Sequence, residues 1–302
     1  MLQPNKKDYA FSPSLLDAYQ RMLDTTAEEY FWKDEAGAWH LNWNEKEETL
    51  HYSEEEVDAL LKQEFLDKVN KVPTPPSEAA SKGTAFNEII DCLILHRKAV
   101  NPKVVIKTVR SGDDLSQARK ETGLSEDDKI KFEKIGKTFI YAGLDGFEFF
   151  FEKEFCLGAA EYFRNSICQY YTKSLLETQK GIVELHGYID YLRQDKVYDC
   201  KTTKRYSFGD FQKKWQRYTY PFTLIESGMM REVNSFEFTI YVLSGGSSRQ
   251  PVITGKQYKE IYTYDHEQAR NMLTQQCERL AEFLEENKAL ITNKKVFGKE
   301  TE

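Results

Sequence analysis

The sequence predicts an α/β or α+β fold, with helices flanking a central mixed β-sheet of five or so strands. Three observations carry that expectation. Strand-like runs recur at Cys168–Glu177, Gly181–Leu192, Lys196–Lys201, Phe236–Leu243 and Tyr258–Tyr264. Between Gly83 and Arg97 the apolar residues Ala85, Phe86, Ile89, Ile90, Leu93 and Ile94 form one wide stripe at helical spacing. Asp265 reads as the cap of a final helix reaching about residue 288, with Met272, Leu273, Leu280, Phe283 and Leu284 turned inward.

The elements follow in order. Ser12 and Pro13 fit the N-cap and first position of a helix over 13–23. Trp32, Trp39 and Trp43 fall in an irregular or β-hairpin stretch, and Ser53-Glu54-Glu55-Glu56 reads as a capping box opening a helix to about Asn70. VPTPPS at 72–77 is a proline-rich break. On the 83–97 helix, Asn87 and Asp91 are four apart and share the polar edge of the stripe, with Glu88 further round. Residues 101–150 mix short strand and helix signals, with a helix start at Ser125–Asp128 and a β-prone Phe147–Phe151. A helix near 152–165 precedes the strands, and a long one over 208–227 is kinked or interrupted at Pro221.

Composition sets outer limits. Of 302 residues 40% are hydrophobic, enough for a core and too many for general disorder. Mean hydropathy is −0.65, and no run approaches the ~18–20 apolar residues of a membrane span. MLQPNKKDYAF at the start has no apolar segment of the secretory kind. Five scattered cysteines (Cys92, Cys156, Cys168, Cys200, Cys277) suggest reduced thiols in a cytoplasm, without a disulfide framework or zinc ribbon. The net charge of −7 argues mildly against a protein that coats nucleic acid, but it is uneven. Asp24–Asp67 holds fourteen acids and three bases, whereas Lys201–Tyr220 holds six bases and the single acid Asp210.

Chemistry concentrates in LHGYIDYLRQDKVYDCKTTK, Leu185 to Lys204. A tight turn at Arg193–Lys196 pairs Leu192 with Val197, Tyr191 with Tyr198 and then Asp190 with Asp199. Like charges directly opposite are unfavourable, and a shared divalent cation resolves the repulsion. Strand alternation places Lys201 on the same face as Asp199. An ammonium beside a metal is suited to phosphodiester hydrolysis, where it stabilises developing charge.

Gly187–Asp190 (G-x-x-D), Asp199–Thr202 (D-x-K-T) and Gln216–Tyr220 (Q-x-x-x-Y), in that order, resemble the PD-(D/E)xK nuclease superfamily, and most closely its RecB-like, phage-type exonuclease branch. FSPSLLDAY at Phe11–Tyr19 is similar to the helix start near that branch's N-terminus. KGTAFNEIIDCL at Lys82–Leu93 is similar to its G-x-x-x-H-x-x-x-E helix, with Gly83 as the helix-start glycine. The resemblance implies a restriction-endonuclease-like core in a single domain over 1–302. Residues 1–80 would be an N-terminal elaboration, 101–150 an insertion and 265–290 a C-terminal helix, with the proline-rich break a loop.

It further implies that Asp190, Asp199 and the carbonyl of Cys200 hold Mg²⁺ or Mn²⁺, and that Lys201 is the catalytic lysine. Asn87 stands where the family has histidine and Asp91 where it has glutamate, and Glu88 is a further ligand candidate. No cysteine cluster matches the iron–sulfur site of some relatives, so no such cluster is expected. Gln216 and Tyr220 would face DNA or support the lysine. Thr202, Lys204, Arg205, Lys213 and Arg217, interleaved with Tyr206, Phe208, Phe211, Trp215 and Tyr218, would grip a single strand or frayed end.

The expected activity is metal-dependent DNA cleavage, foremost by an exonuclease of recombination, repair or phage DNA processing in a bacterial or phage-infected cytoplasm. Alternatives are a restriction or defence endonuclease, and a catalytically weak DNA-binding or scaffold protein of the same fold. Expected partners are single-stranded DNA or duplex ends, with a homo-oligomer or a recombination protein as further candidates.

Overall fold

The computed structural model describes residues 7–25, 31–33, 35, 39–41, 54–100, 103–123, 132, 138–194 and 196–299. Eleven strands and seven α-helices are found among them. The strands are β1 (Tyr9–Phe11), β2 (Phe31–Lys33), β3 (Trp39–Leu41), β4 (Val105–Val109), β5 (Phe139–Leu144), β6 (Phe147–Glu152), β7 (Ile167–Thr178), β8 (Gly181–Arg193), β9 (Lys196–Thr203), β10 (Ser235–Ser244) and β11 (Val252–Thr263). The helices are α1 (Pro13–Asp24), α2 (Glu54–Val69), α3 (Glu78–Leu95), α4 (Gly112–Thr122), α5 (Lys153–Tyr162), α6 (Gln216–Glu226) and α7 (His266–Glu286).

Nine strands form one mixed sheet in the order β1-β8-β9-β10-β11-β6-β5-β4, with β7 on the flank of β8. β2 and β3 pair separately as an antiparallel hairpin. Residues 101–150, expected as an insertion, contribute β4, β5 and most of β6 to this sheet, through the short parallel pairing of β6 with β11.

Helices cover the sheet through two main clusters. One packs α1, α2 and α7 against Val183 and Leu185 of β8, around Phe11, Phe65, Leu273 and Leu280. The other packs α3 and α5 against β5, β6 and β9, around Phe86, Phe151, Phe163, Tyr191 and Cys200. Phe163 stacks on Tyr191 with centroids 3.9 Å apart.

Helix starts obey local chemistry. Ser12, Ser77 and Asp265 each accept from the backbone N–H three residues on, a cap worth about 1 kcal/mol. Ser77 corrects the expected helix: α3 begins at Glu78, so Gly83 lies within it. A Cβ on Gly83 would stand 2.6 Å from Thr202 Oγ1, so glycine here lets α3 lie close on β9. The 208–227 helix is shorter than expected. Residues 207–214 form turns, and α6 begins at Gln216 and carries Pro221 inside it. Burial of Phe222 and Leu224 offsets the backbone bond that Pro221 forgoes. Strand β11 starts at Val252, six residues before the expected Tyr258, because its partner β10 is ten residues long. Trp43, Ser53 and Ser125–Asp128, to which sequence reasoning gave roles, lie outside the described residues.

Candidate active site

The β8–β9 hairpin has the expected register at its closed end: Arg193 pairs with Lys196, Leu192 with Val197 and Tyr191 with Tyr198. There the ladder stops. The expected Asp190–Asp199 pair does not form, because the strands diverge before reaching it. The Asp190 carboxylate fills the gap, with Oδ2 accepting from the Cys200 N–H at 2.8 Å. On the other flank, β7 pairs through Tyr170–Ile189 and Cys168–Tyr191 but not through Gln169, whose φ is 52°. Asp190 is therefore the point at which β9 leaves β8 and the β7 ladder skips one residue. The Gln169 amide reaches Asp190 Oδ1 only at 3.5 Å.

Asp199 is 3% exposed, and its Oδ2 lies 2.6 Å from Lys201 Nζ. Asp199 pairs with Phe238 of β10, and Lys201 sits over the Phe238 ring at 6.0 Å. The hairpin thus gathers Asp190, Asp199 and Lys201. Burial pushes the Asp190 carboxyl up to about 7, and the charge of Asp199 adds to the rise. Lys201 and the Cys200 N–H pull the other way, and Asp91 adds a smaller push. Burial would depress Lys201, but Asp199 and Asp190 outweigh it and hold the ammonium above its ordinary value.

Helix α3 supplies Asn87 and Asp91 on the row begun by Gly83. The Asn87 Oδ1 is buried with no hydrogen-bond partner. Asp91 is 1% exposed, and burial raises it to about 6. Tyr191 and Gln169 favour its charged form, as does Arg97, whose Nη2 is 3.8 Å from Oδ2. Glu88 turns elsewhere. Its Oε1 accepts from Arg97 at 2.8 Å and from the Val100 N–H at 2.6 Å, so it anchors the end of the helix.

Other expected contacts are redistributed. Gln216 and Tyr220 are buried at 8% and 7% exposure, so they back the site and do not present a DNA-facing surface. Tyr220 fills the space a side chain at Gly187 would need, its Cε1 standing 2.9 Å from a Cβ built there. Burial and then Asp199, Asp190 and Asp17 raise its hydroxyl pKa. Lys213 pairs with Asp24 at 3.2 Å, and the Arg217 guanidinium stacks on Tyr218 and Tyr262. Lys204 and Arg205 are exposed. Among the interleaved aromatics, Trp215 is buried and Phe211 packs on Phe238, while Phe208 is 85% exposed. Thr202 and Lys204 line a cavity of about 250 Å³ with the buried Lys82 and with Ser244 and Gly245.

Asp17 of α1 escaped sequence reasoning. Its Oδ1 accepts from the Trp215 N–H at 2.8 Å, which ties α1 to the start of α6. Burial raises its carboxyl pKa, and it lies in the field of Lys201 and Asp199. Its place inside FSPSLLDAY was the available signal.

Among the described residues no three His, Cys, Asp or Glu side chains form a ready metal-binding group. The oxygens at hand are two crowded carboxylates, the unpartnered Asn87 amide oxygen and backbone carbonyls. Hard oxygen donors of this kind fit Mg²⁺ or Mn²⁺ better than zinc.

No family model matches the sequence, and no curated protein matches it. Among solved structures, the crystal structure of SSO0001 is similar at 15% identity and a TM-score of 0.27. The match covers 41% of this chain and 56% of that one, so the chain spans little more than half of that protein's length. A likeness at that score says nothing of fold family or activity.

Proposed function

We propose that the chain is a metal-dependent deoxyribonuclease with a restriction-endonuclease-like core, hydrolysing phosphodiester bonds as an exonuclease in DNA recombination, repair or phage DNA processing. One observation carries the reading: the ladders on both sides of β8 are interrupted at Asp190, whose carboxyl is pushed up to about 7 by burial and by Asp199, with Lys201 alongside. Crowded, desolvated carboxylates beside an ammonium cost stability, and such arrangements cluster where catalysis needs them.

Asp190 and Asp199 would hold the divalent cation, with the Cys200 carbonyl and Asn87 Oδ1 completing the oxygen set. A bound cation would supply activation of water and neutralisation of charge on the phosphate. Lys201, released from its pair with Asp199, would donate to a non-bridging oxygen of the pentavalent phosphorus centre. Asp17 would hold α1 against α6 and keep Tyr220 over Gly187.

The test is cleavage of end-labelled single- and double-stranded DNA with Mg²⁺, Mn²⁺ or EDTA. Wild type is expected to cut only with metal, and Asp199→Asn and Lys201→Ala to lose at least a hundredfold in rate. Mononucleotide products with circular DNA spared would mark an exonuclease. Metal-independent cleavage, or equal cutting by the variants, would overturn the proposal.

A further inference from the structure

We infer that the open face of β7 and β8 is a track for single-stranded nucleic acid, running from Asp190 into a lysine-lined cavity; this deepens the nuclease reading and rests on it for the identity of the ligand. One face of β8, carrying Val183, Leu185, Gly187 and Ile189, is covered by helices. The opposite face carries Glu184, His186 and Tyr188, with Leu175, Lys173 and Tyr171 as their partners on β7. Tyr188 is two residues from Asp190 and 59% exposed. Tyr171 is 43% exposed, and the two rings lie 5.0 Å apart at 51°. An exposed aromatic pair beside a catalytic carboxylate offers a stacking platform that any base can use.

Further along β8, His186 and Glu184 reach a cavity of about 570 Å³. His186 is about 13 Å from Asp190 along the strand. Five lysines line that cavity: Lys7, Lys68, Lys71, Lys295 and Lys299. Lys7 is neutralised by Glu184 at 2.8 Å and Lys68 by Glu64 at 3.0 Å. For Lys71, Lys295 and Lys299 no ion pair is found among the described residues, which leaves three positive charges for a ligand. Ser12 and Ser14, at the start of α1, add hydroxyls to the same wall. Aromatic faces for bases, followed by ammonium groups for phosphates, are the combination that holds a single strand without reading its sequence. The closed stack of a duplex cannot present its bases to Tyr188.

The test is fluorescence anisotropy on the full chain with a labelled 20-nucleotide oligo-dT and a blunt duplex, in EDTA so that nothing is cut. Wild type is expected to prefer the single strand. Tyr188→Ala should weaken single-strand binding about fivefold to a hundredfold, and Tyr188→Phe should restore it. The triple variant Lys71→Asn/Lys295→Ala/Lys299→Ala should flatten the plot of log affinity against log salt by about 2. Circular dichroism checks that the variants are folded. Unchanged affinity and salt slope in folded variants would overturn the track, as would displacement of the oligonucleotide by equimolar dTMP, which would assign the cavity to a free nucleotide. Metal and cleavage take no role in this measurement, so an inactive but strand-binding chain would sink the nuclease reading and leave the track standing.

Discussion

At the residue scale, Asp190 sets the pH response. Its folded carboxyl, about 7, lies above the ordinary value of about 3.9, so between these limits the folded state binds more protons than the unfolded chain. Stability at this group is therefore greatest at low pH and falls as pH rises from about 4 to 7. Asp91, raised to about 6, acts in the same direction. In EDTA, the thermal midpoint of Asp190→Asn should fall less than that of wild type between pH 4.5 and 7.5, and added Mg²⁺ should raise the wild-type midpoint most at the higher pH. A steeper fall in the variant would contradict the assignment. Gly187 tests the same site sterically. A Cβ 2.9 Å from Tyr220 forces a shift, so Gly187→Ala should cost about 1–3 kcal/mol of stability in urea and lower the cleavage rate. The residues of this site were legible in the sequence because G-x-x-D and D-x-K-T lie only nine residues apart on one hairpin. The divergence of the strands was not, since it depends on what β7 and α3 allow at Asp190.

At the element scale, α3 separates two kinds of acidic and amide side chain that are adjacent in sequence. Asn87 and Asp91 turn toward the hairpin, whereas Glu88 is committed to Arg97 and Val100. Asn87→Ala should raise the Mg²⁺ concentration needed for half-maximal cleavage while leaving the midpoint of unfolding near wild type. Glu88→Gln should do the reverse: a loss of about 1–2 kcal/mol in stability from the weakened anchor, with cleavage retained. If Glu88→Gln abolished metal-dependent cutting, Glu88 would be a ligand after all. Periodicity in the sequence placed Asn87 and Asp91 on one edge of the stripe and Glu88 further round. Which of them meets the sheet was decided by the close approach of Gly83 to Thr202.

At the scale of the whole molecule, the sheet is fastened at one end of β9 and left open at the other. Lys196 holds the fully buried Glu237 at 2.6 Å, and Tyr162 and Thr239 donate to the same carboxylate at 2.7 Å. Lys196→Met would leave that charge uncompensated, and a loss of about 3–5 kcal/mol is expected in urea denaturation. Further along β9, Lys201 meets Asp199 at a point where β8 has already departed, and the polar groups there remain available for chemistry. The average charge of −7 hides this division. The bases beginning at Lys201 are partly engaged by Asp24, Asp17 and aromatic rings, while lysines from both ends of the chain gather beside β8.

The sequence by itself determined what short-range physics controls: the capped starts of α1 and α7, the strands β7 to β10, the hairpin register as far as Tyr191–Tyr198, and the proximity of Asp190, Asp199 and Lys201. Capping, alternation and turn closure act over a few residues, so they are written locally. Only the tertiary structure decided that β4, β5 and β6 extend the main sheet and that Gln216, Tyr220 and Trp215 are buried while Phe208 stays exposed. It also decided that Asp17 faces the site, and that Lys71, Lys295 and Lys299 share one cavity. Those outcomes depend on packing between segments more than two hundred residues apart in the chain, and no local pattern encodes which distant surface a side chain will meet.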